Sequence, residues 1–394
     1  MDQPLADVRV IDLTRILAGP FCSMILGDLG ADVIKVESPP EGDHVRQQGA
    51  ILDGLSWYFA AFNRNKRSMT LDLRSEAGKA VLSRLLEDAD VLVENYRPGV
   101  LAEMGFTPER LAGINPRLVV ASVNGYGSTG PYADRPAFDF ITQAMSGFMA
   151  VNGTPETGPL RAAPPVTDLV AGLYAALGTV AALRTRDRDG AGQRVEASMM
   201  MGMVSLMAYL SAAQLATGEA PVPSGNDHPI ASPYGLFRCA DGAVAVAPST
   251  QRILARFLGQ LGLAHLLEDE RYDTVPKRQA RRAELNAMID AVMSRETVDA
   301  WIERLNAAGV PCGKVQSLAE VMEDPQVLHQ EMVLDVPHPG HGTVRMTGFP
   351  VKLSETPCTL RRPAPDLGAA TEEVLAEAGY SPEEIAALRA EGAV

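Results

Sequence analysis

The strongest chemical signal in the chain is a single carboxylate in apolar company: Asp168, within "RAAPPVTDLVAGLYAALG". Two prolines precede it and an otherwise apolar helix follows, so Asp168 falls in a first helical turn. Two readings are open from this stretch. Asp is favoured in a first turn because its charge complements the helix dipole. A carboxylate held near apolar walls is also a nucleophile able to form acyl intermediates. A second signal is glycine spacing. "LVVASVNGYGSTGPY" sets Gly125, Gly127 and Gly130 as G-x-G-x-x-G after a strand-like run. A dinucleotide fingerprint also needs a helix opening at the third glycine and an acidic residue about 20 positions on. "PYADRPAFD" follows instead, with two prolines, and "SGFMAVNG" carries no carboxylate where one is needed. The spacing is therefore not a nicotinamide site.

Other chemistries have no residues to carry them. The six histidines and the scattered Cys22, Cys239, Cys312 and Cys358 show no metal-ligand spacing, and G-x-S-x-G and a P-loop are both absent. No metal is expected. Cys312 in "GVPCGKV" reads as a packed residue, because no histidine lies nearby in sequence to activate it. Cysteines without a disulfide framework fit a reduced, intracellular setting. Lys and Arg number 35 against 49 Asp and Glu, a net charge of −14 that argues against nucleic acid or an anionic membrane as partner. Within that acidity, "NRNKRSMTLDLR" gathers Arg64, Lys66, Arg67 and Arg74. Such a cluster suits either a small anionic ligand or a solvated surface. The N-terminus has no signal-peptide pattern, and no apolar run reaches the ~18 residues of a bilayer span. A cytoplasmic protein is expected, with "LVAGLYAALGTVAAL" and "ASMMMGMVSLMAYLSAAQLA" as buried helices.

The elements that must position Asp168 alternate between strand and helix. "VRVIDL", "ADVIKVE", "RSMTLDL", "DVLVEN", "LVVASVN" and "QRVEASM" are β-rich runs separated by helical patterns, one of them capped by Ser75. Alternation of this kind predicts an α/β fold with a doubly wound, Rossmann-like parallel sheet. The Pro/Gly-rich "TGEAPVPSGNDHPIASPYG" reads as a linker or active-site loop. It precedes a hairpin turning at Asp241-Gly242 and a run of amphipathic helices, a smaller α+β domain. Boundaries are set at 1–200 for the first part of the large domain, 201–225 for the linker, 226–325 for the small domain, and 326–394 for a return to the large one. Caps are expected at Thr371 and Ser381.

Several stretches in order carry a resemblance: "PLADVRVIDLTRILAGPFCSMILGDLGADVIKVESPPEGD", "FNRNKRSMTLDL", "ADVLVENYRPGVLAEMGF", "GYGSTGPYADRPAFD", "VTDLVAGLYA", "GNDHP", "PYGLF" and "GVPCGKV". Over essentially its whole length the chain resembles the family III CoA-transferases, the CaiB/BaiF group. The resemblance implies a large domain built from both chain ends, a smaller one inserted late, and an interlocked homodimer. It implies acyl-CoA and a small carboxylic acid as substrates, with coenzyme A passing between them and no permanently bound cofactor. Asp168 matches the family's catalytic aspartate, which attacks the donor thioester and later carries CoA as an aspartyl thioester. CoA contacts match Leu17 and Ala18; Leu71, Asp72, Leu73 and Arg74; Asn95, Tyr96 and Arg97; and Pro136, Ala137, Phe138 and Asp139. Arg74 and Arg97 suit the phosphates and Tyr96 the adenine. The glycines of "GYGSTGPYADRPAFD" match a loop leading to the active site, where they permit close backbone approach.

Departures from the family bear on substrate. Where formyl-CoA transferases carry glutamine and arginine, this chain has Leu17, Ser38 and Glu103, and "SGNDHPIASPYG" replaces their Gly-rich loop. These differences argue against formyl-CoA:oxalate exchange; succinyl-CoA is the expected donor and a dicarboxylic acid the expected acceptor, with a carnitine-type acceptor as the alternative. Arg15 and His228 are candidates for the acceptor's second carboxylate, or else structural residues. The rival reading is an α-methylacyl-CoA racemase, which needs a histidine before the aspartate; here the pair is Phe138-Asp139, and phenylalanine moves no proton. A non-catalytic acyl-CoA-binding protein is the third class.

Overall fold

The computed structural model describes residues 2–394. Six strands, β1 (Arg9–Asp12), β2 (Asp32–Glu37), β3 (Lys66–Thr70), β4 (Val91–Glu94), β5 (Val119–Asn124) and β6 (Arg194–Ser198), form one sheet. Their order is β3-β2-β1-β4-β5-β6, and every pairing is parallel. The order reverses between β1 and β4, and the crevice outside the carboxyl ends of those two strands is where open α/β sheets bind ligands.

Helices α1 (Ala18–Asp28), α2 (Glu76–Glu87), α3 (Pro108–Ile114), α4 (Asp139–Met145) and α5 (Val166–Asp189) accompany the strands. Alternate strand residues sort into two cores. Val10, Val33, Val91, Val119 and Ala121 pack toward α1 and α5. Ile11, Ile34, Leu92 and Met69 pack on the opposite face, toward α2 and α3. A sheet apolar on both faces must be covered on both, which gives the doubly wound arrangement. Ser75 caps α2 by accepting from the Gly78 N–H.

The chain divides into two compact units. The first comprises Met1–Phe148, Ala162–Ser211 and Gln326–Val394; the second comprises Met149–Arg161 and Ala212–Pro325. Segment 149–161 thus goes with the second unit, whereas the sequence places it in the large domain. The stretch 201–225 is shared between the two units instead of standing apart as a linker.

Helices α6 (Met199–Leu206) and α7 (Ala208–Thr217) are not one Met-rich helix but two, bent by 77°. The second unit holds an antiparallel sheet of β7 (Gly235–Arg238), β8 (Ala243–Val246) and β9 (Cys312–Lys314). Its core is built on Phe237, Phe257 and Trp301, and the Trp301 indole donates to the Met293 carbonyl at 2.8 Å.

The first unit closes with the hairpin β10 (Val333–His338) and β11 (Gly342–Thr347), then α8 (Thr371–Glu377) and α9 (Pro382–Ala390). Ser381 forms a capping box with Glu384. Thr371 does not cap: Ala370 takes that position, and the Thr371 hydroxyl accepts from the Thr70 N–H at the end of β3.

Three expectations are corrected. The cluster at 64–67 is neither a ligand patch nor solvated: Arg64, Lys66 and Arg67 are buried and paired internally with Asp28, Asp12 and Asp32. Buried cations need such partners because desolvation penalises an unpaired charge. Helix α5, at 24 residues, is long and apolar enough to cross a bilayer by length and composition, contrary to the run-length reading. Nor is it fully buried: one face packs on the sheet, while Leu173 and Leu177 are 52% and 67% exposed, and Met201 of α6 is also exposed.

Candidate active site

Asp168 lies in the first turn of α5, which starts after Pro165 without a side-chain cap. The turn is held from outside by Asp139, the first residue of α4. One Asp139 carboxylate oxygen accepts from the Thr167 N–H at 3.0 Å and from its hydroxyl at 2.9 Å. The other accepts from Gln143 Nε2 at 2.7 Å, and the Thr142 and Thr167 hydroxyls are bonded at 2.7 Å. Asp139, matched by resemblance to a CoA contact, therefore spends both oxygens inside the protein.

Asp168 itself is half-buried, and among the described residues its carboxylate makes no hydrogen bond or ion pair. Burial first, and then the nearby Asp139 charge, push its pKa up to about 7. A carboxylate in that state is a stronger nucleophile than an ordinary one, and it is still ionised in about half the molecules at neutral pH. Tyr58, on the short helix Trp57–Asn63, feels the same charge. Its phenol is pushed up to about 12 by burial, Asp168 and Asp43, so it stays protonated. Nothing in "LSWYFAAFN" distinguishes Tyr58 from a packed aromatic, and the sequence reading passes over it.

The glycine-rich loop after β5 supports this site from below. Gly127 and Gly130 have φ of +103° and +93°. A Cβ at Gly125 would lie 2.2 Å from Cβ of Ala137, so the backbone there passes directly under the segment leading into α4. No helix begins at Gly130. Pro136 and Phe138 are exposed.

At the crevice between β1 and β4 several expected residues come together. The Asn95 amide bridges the two loops: its oxygen accepts from the Arg15 N–H at 2.9 Å and its nitrogen donates to the Arg15 carbonyl at 2.8 Å. The Arg15 guanidinium lies 5.1 Å from the centroid of the Tyr96 ring. Arg15, Ser38, Leu71, Leu73 and Tyr96 line one narrow cleft. Leu17, Ala18, Leu71 and Leu73 are buried. Arg97 is exposed, as is Arg74, which pairs with Asp72 at 2.8 Å. A larger cavity of about 460 Å³ lies beside β4 and β5, lined by Glu94, Arg97, Leu101, Phe106 and Val120; neither Asp168 nor Asp139 reaches it.

His228 belongs to the second unit and Arg15 to the first. The His228 ring packs on Tyr234, with centroids 4.7 Å apart, and its Nδ1 accepts from the Ile230 N–H. Among the described residues no group of three or more His, Cys, Asp or Glu is placed to hold a metal. Burial pushes the Cys22 thiol up to about 12 and raises that of Cys312, which makes both poor nucleophiles.

The chain matches the sequence profile of CoA-transferase family III over residues 5–371. It is 36% identical to a succinate–glutarate CoA-transferase of Agrobacterium fabrum, covering 95% of both chains. It is 35% identical to a succinyl-CoA–D-citramalate CoA-transferase of Chloroflexus aurantiacus, covering 98% of this chain and 97% of that one. A formyl-CoA:oxalate CoA-transferase of Streptomyces coelicolor is 36% identical, with 99% of each covered. Among solved structures, a CaiB/BaiF family protein from Brucella suis superposes with a TM-score of 0.86 at 36% identity, covering 96% of this chain and all of that one.

Proposed function

Because this chain belongs to CoA-transferase family III, we propose that it moves coenzyme A from succinyl-CoA to a second dicarboxylic acid, with Asp168 as the covalent carrier. The observation that carries this reading is Asp168 itself, unpartnered, raised to about 7 and fixed on a clamped helix turn. Its carboxylate oxygen attacks the thioester carbonyl carbon; the C–S bond breaks, giving a mixed anhydride and CoA thiolate. The thiolate attacks the Asp168 side-chain carbonyl, releasing the donor acid and leaving an aspartyl-CoA thioester. The acceptor carboxylate then attacks that carbonyl and frees the thiolate, which takes the acceptor's acyl group and restores Asp168. Every step exchanges one activated acyl group for another. Burial and the Asp139 charge oppose the anionic nucleophile but not its neutral acyl forms, so the environment favours the covalent states.

CoA enters along the crevice between β1 and β4, with Leu17 and Ala18 offering backbone, Arg74 and Arg97 meeting phosphates, and Tyr96 near the adenine. The segment Pro136–Asp139 flanks the thioester end. Arg15 is assigned to the acceptor's second carboxylate. The named relatives support dicarboxylates, since succinate, glutarate, citramalate and oxalate appear among their substrates. A second copy of the chain covers the exposed apolar face of α5 and α6 to make an interlocked homodimer.

The test is a mass-spectrometric assay in D₂O with a panel of acyl-CoAs and free carboxylic acids. A new acyl-CoA, absent with Asp168→Ala, is the expected outcome. Deuterium at the α-carbon of an unchanged 2-methylacyl-CoA would instead establish a racemase. Tight acyl-CoA binding with neither product would leave a non-catalytic binder.

A further inference from the structure

Beneath the turn that joins β1 to α1 lies a chain of buried charges that neither the covalent steps nor the CoA contacts use. Asp12 and Lys66 are both inaccessible and pair at 3.0 Å. Lys35 and Asp43, also inaccessible, pair at 3.0 Å. Each group reaches up to the turn. Asp12 accepts from the Thr14 N–H and hydroxyl and from the Ser23 hydroxyl on α1. Lys66 donates to the Pro20 carbonyl in the first turn of α1, and Lys35 donates to the Thr14 carbonyl at 2.8 Å. Asp43 accepts from the Ile16 N–H through both oxygens, at 3.1 and 3.2 Å.

Ile16 is where this network becomes informative. Its φ is +71°, a left-handed conformation that is an outlier for a β-branched residue and costs on the order of 1–3 kcal/mol. Strain of that kind persists only where the surroundings over-determine it. Here they do: the two residues before it are bonded as well, Thr14 to Asp12 and Lys35, and Arg15 to Asn95. The next two residues, Leu17 and Ala18, open α1, whose N-cap has no side-chain oxygen for the first-turn N–H groups.

We propose that Asp43 and Ile16, backed by Lys35, Asp12 and Lys66, are positioning residues that lock the β1–α1 turn into the one backbone shape that receives acyl-CoA. This rests on the acyl-CoA reading above and adds to it a specific cause of affinity: preorganisation of the turn, which spares the ligand the cost of ordering it. The residues act through the backbone of Leu17 and Ala18 and touch no reacting atom.

Two variants test it. Ile16→Gly removes the strain, because glycine adopts this φ freely, and so keeps the fold while loosening the turn. Asp43→Asn removes the ion pair with Lys35. Free coenzyme A is titrated calorimetrically into each full-length protein. The acyl-CoA concentration that half-saturates adduct formation on Asp168 is followed by intact mass. Both constants are expected to weaken about tenfold or more, with the amount of adduct at saturation unchanged. A purely structural role would lower the melting temperature and leave both constants alone. Binding within twofold of the unaltered protein in folded Ile16→Gly overturns the proposal even if Asp43→Asn fails to fold. If the unaltered protein binds no coenzyme A, the acyl-CoA reading falls and the positioning role falls with it.

Discussion

Asp139 holds Thr167 by both backbone and hydroxyl, and in doing so fixes the helical turn on which the next residue, Asp168, is displayed. The same carboxylate contributes charge to the site. Position and electrostatics at Asp168 are thus set by one side chain.

Asp139→Asn separates the two effects. The amide oxygen keeps an acceptor for Thr167, while loss of the negative charge lets Asp168 ionise at lower pH. The pH–rate profile of transfer should rise toward a plateau through a midpoint near 7 in the unaltered protein, because the ionised form attacks. In the variant that midpoint should move down. Asp139→Ala, which also removes the clamp, should lose activity by about tenfold or more.

Asp168 also makes stability depend on pH. Its folded pKa lies above the unfolded value of 3.8, so between about 4 and 7 the native state binds the extra proton and stability falls as pH rises. The full effect is up to about 4 kcal/mol above that window. Asp168→Asn should melt higher than the unaltered protein at pH 8, and the gap should close toward pH 4. Equal gaps at both ends would contradict the raised pKa.

Gly125 has no room for a side chain beneath Ala137. Gly125→Ala should push the segment before α4 outward and reduce transfer while the sheet remains folded, at a cost of roughly 1–3 kcal/mol. The double substitution Gly125→Ala with Ala137→Gly vacates the clashing methyl and should recover most of the loss. Circular dichroism and turnover, measured together, decide.

The exposed apolar face of α5 gives a prediction about assembly. Leu177→Glu should shift a dimer toward monomer or aggregate in sedimentation velocity, because Leu177 is 67% exposed in the single chain and such faces mark contacts. An unchanged sedimentation coefficient for a well-folded variant would place the partner copy elsewhere.

The parallel sheet is legible in the sequence because strands buried on both faces must be runs such as "VRVIDL" and "DVLVEN", and the Ser75 and Ser381 caps are legible because they are local, although the same signal at Thr371 gives no cap. What covers a helix is not local, which is why α5 reads as buried although the chain leaves one face open. Charge is ambiguous for the same reason. Arg64, Lys66 and Arg67 look like a surface patch until Asp28, Asp12 and Asp32, tens of residues earlier, are seen to meet them. Asp168 stands out as a carboxylate among apolar residues. Its clamp does not, since Asp139 and Thr167 are separated by 28 residues.

The backbone N–H of Asp72, just past β3, donates to the carbonyl of Ala393 at 2.8 Å, and Ala370 and Thr371 bond Ser68 and Thr70 on that strand. On a ribosome adding about 5–20 residues per second, β3 emerges and then waits tens of seconds for these partners. The edge of the nascent sheet stays open throughout, a period in which chaperones, or a neighbouring nascent chain, have first access to it.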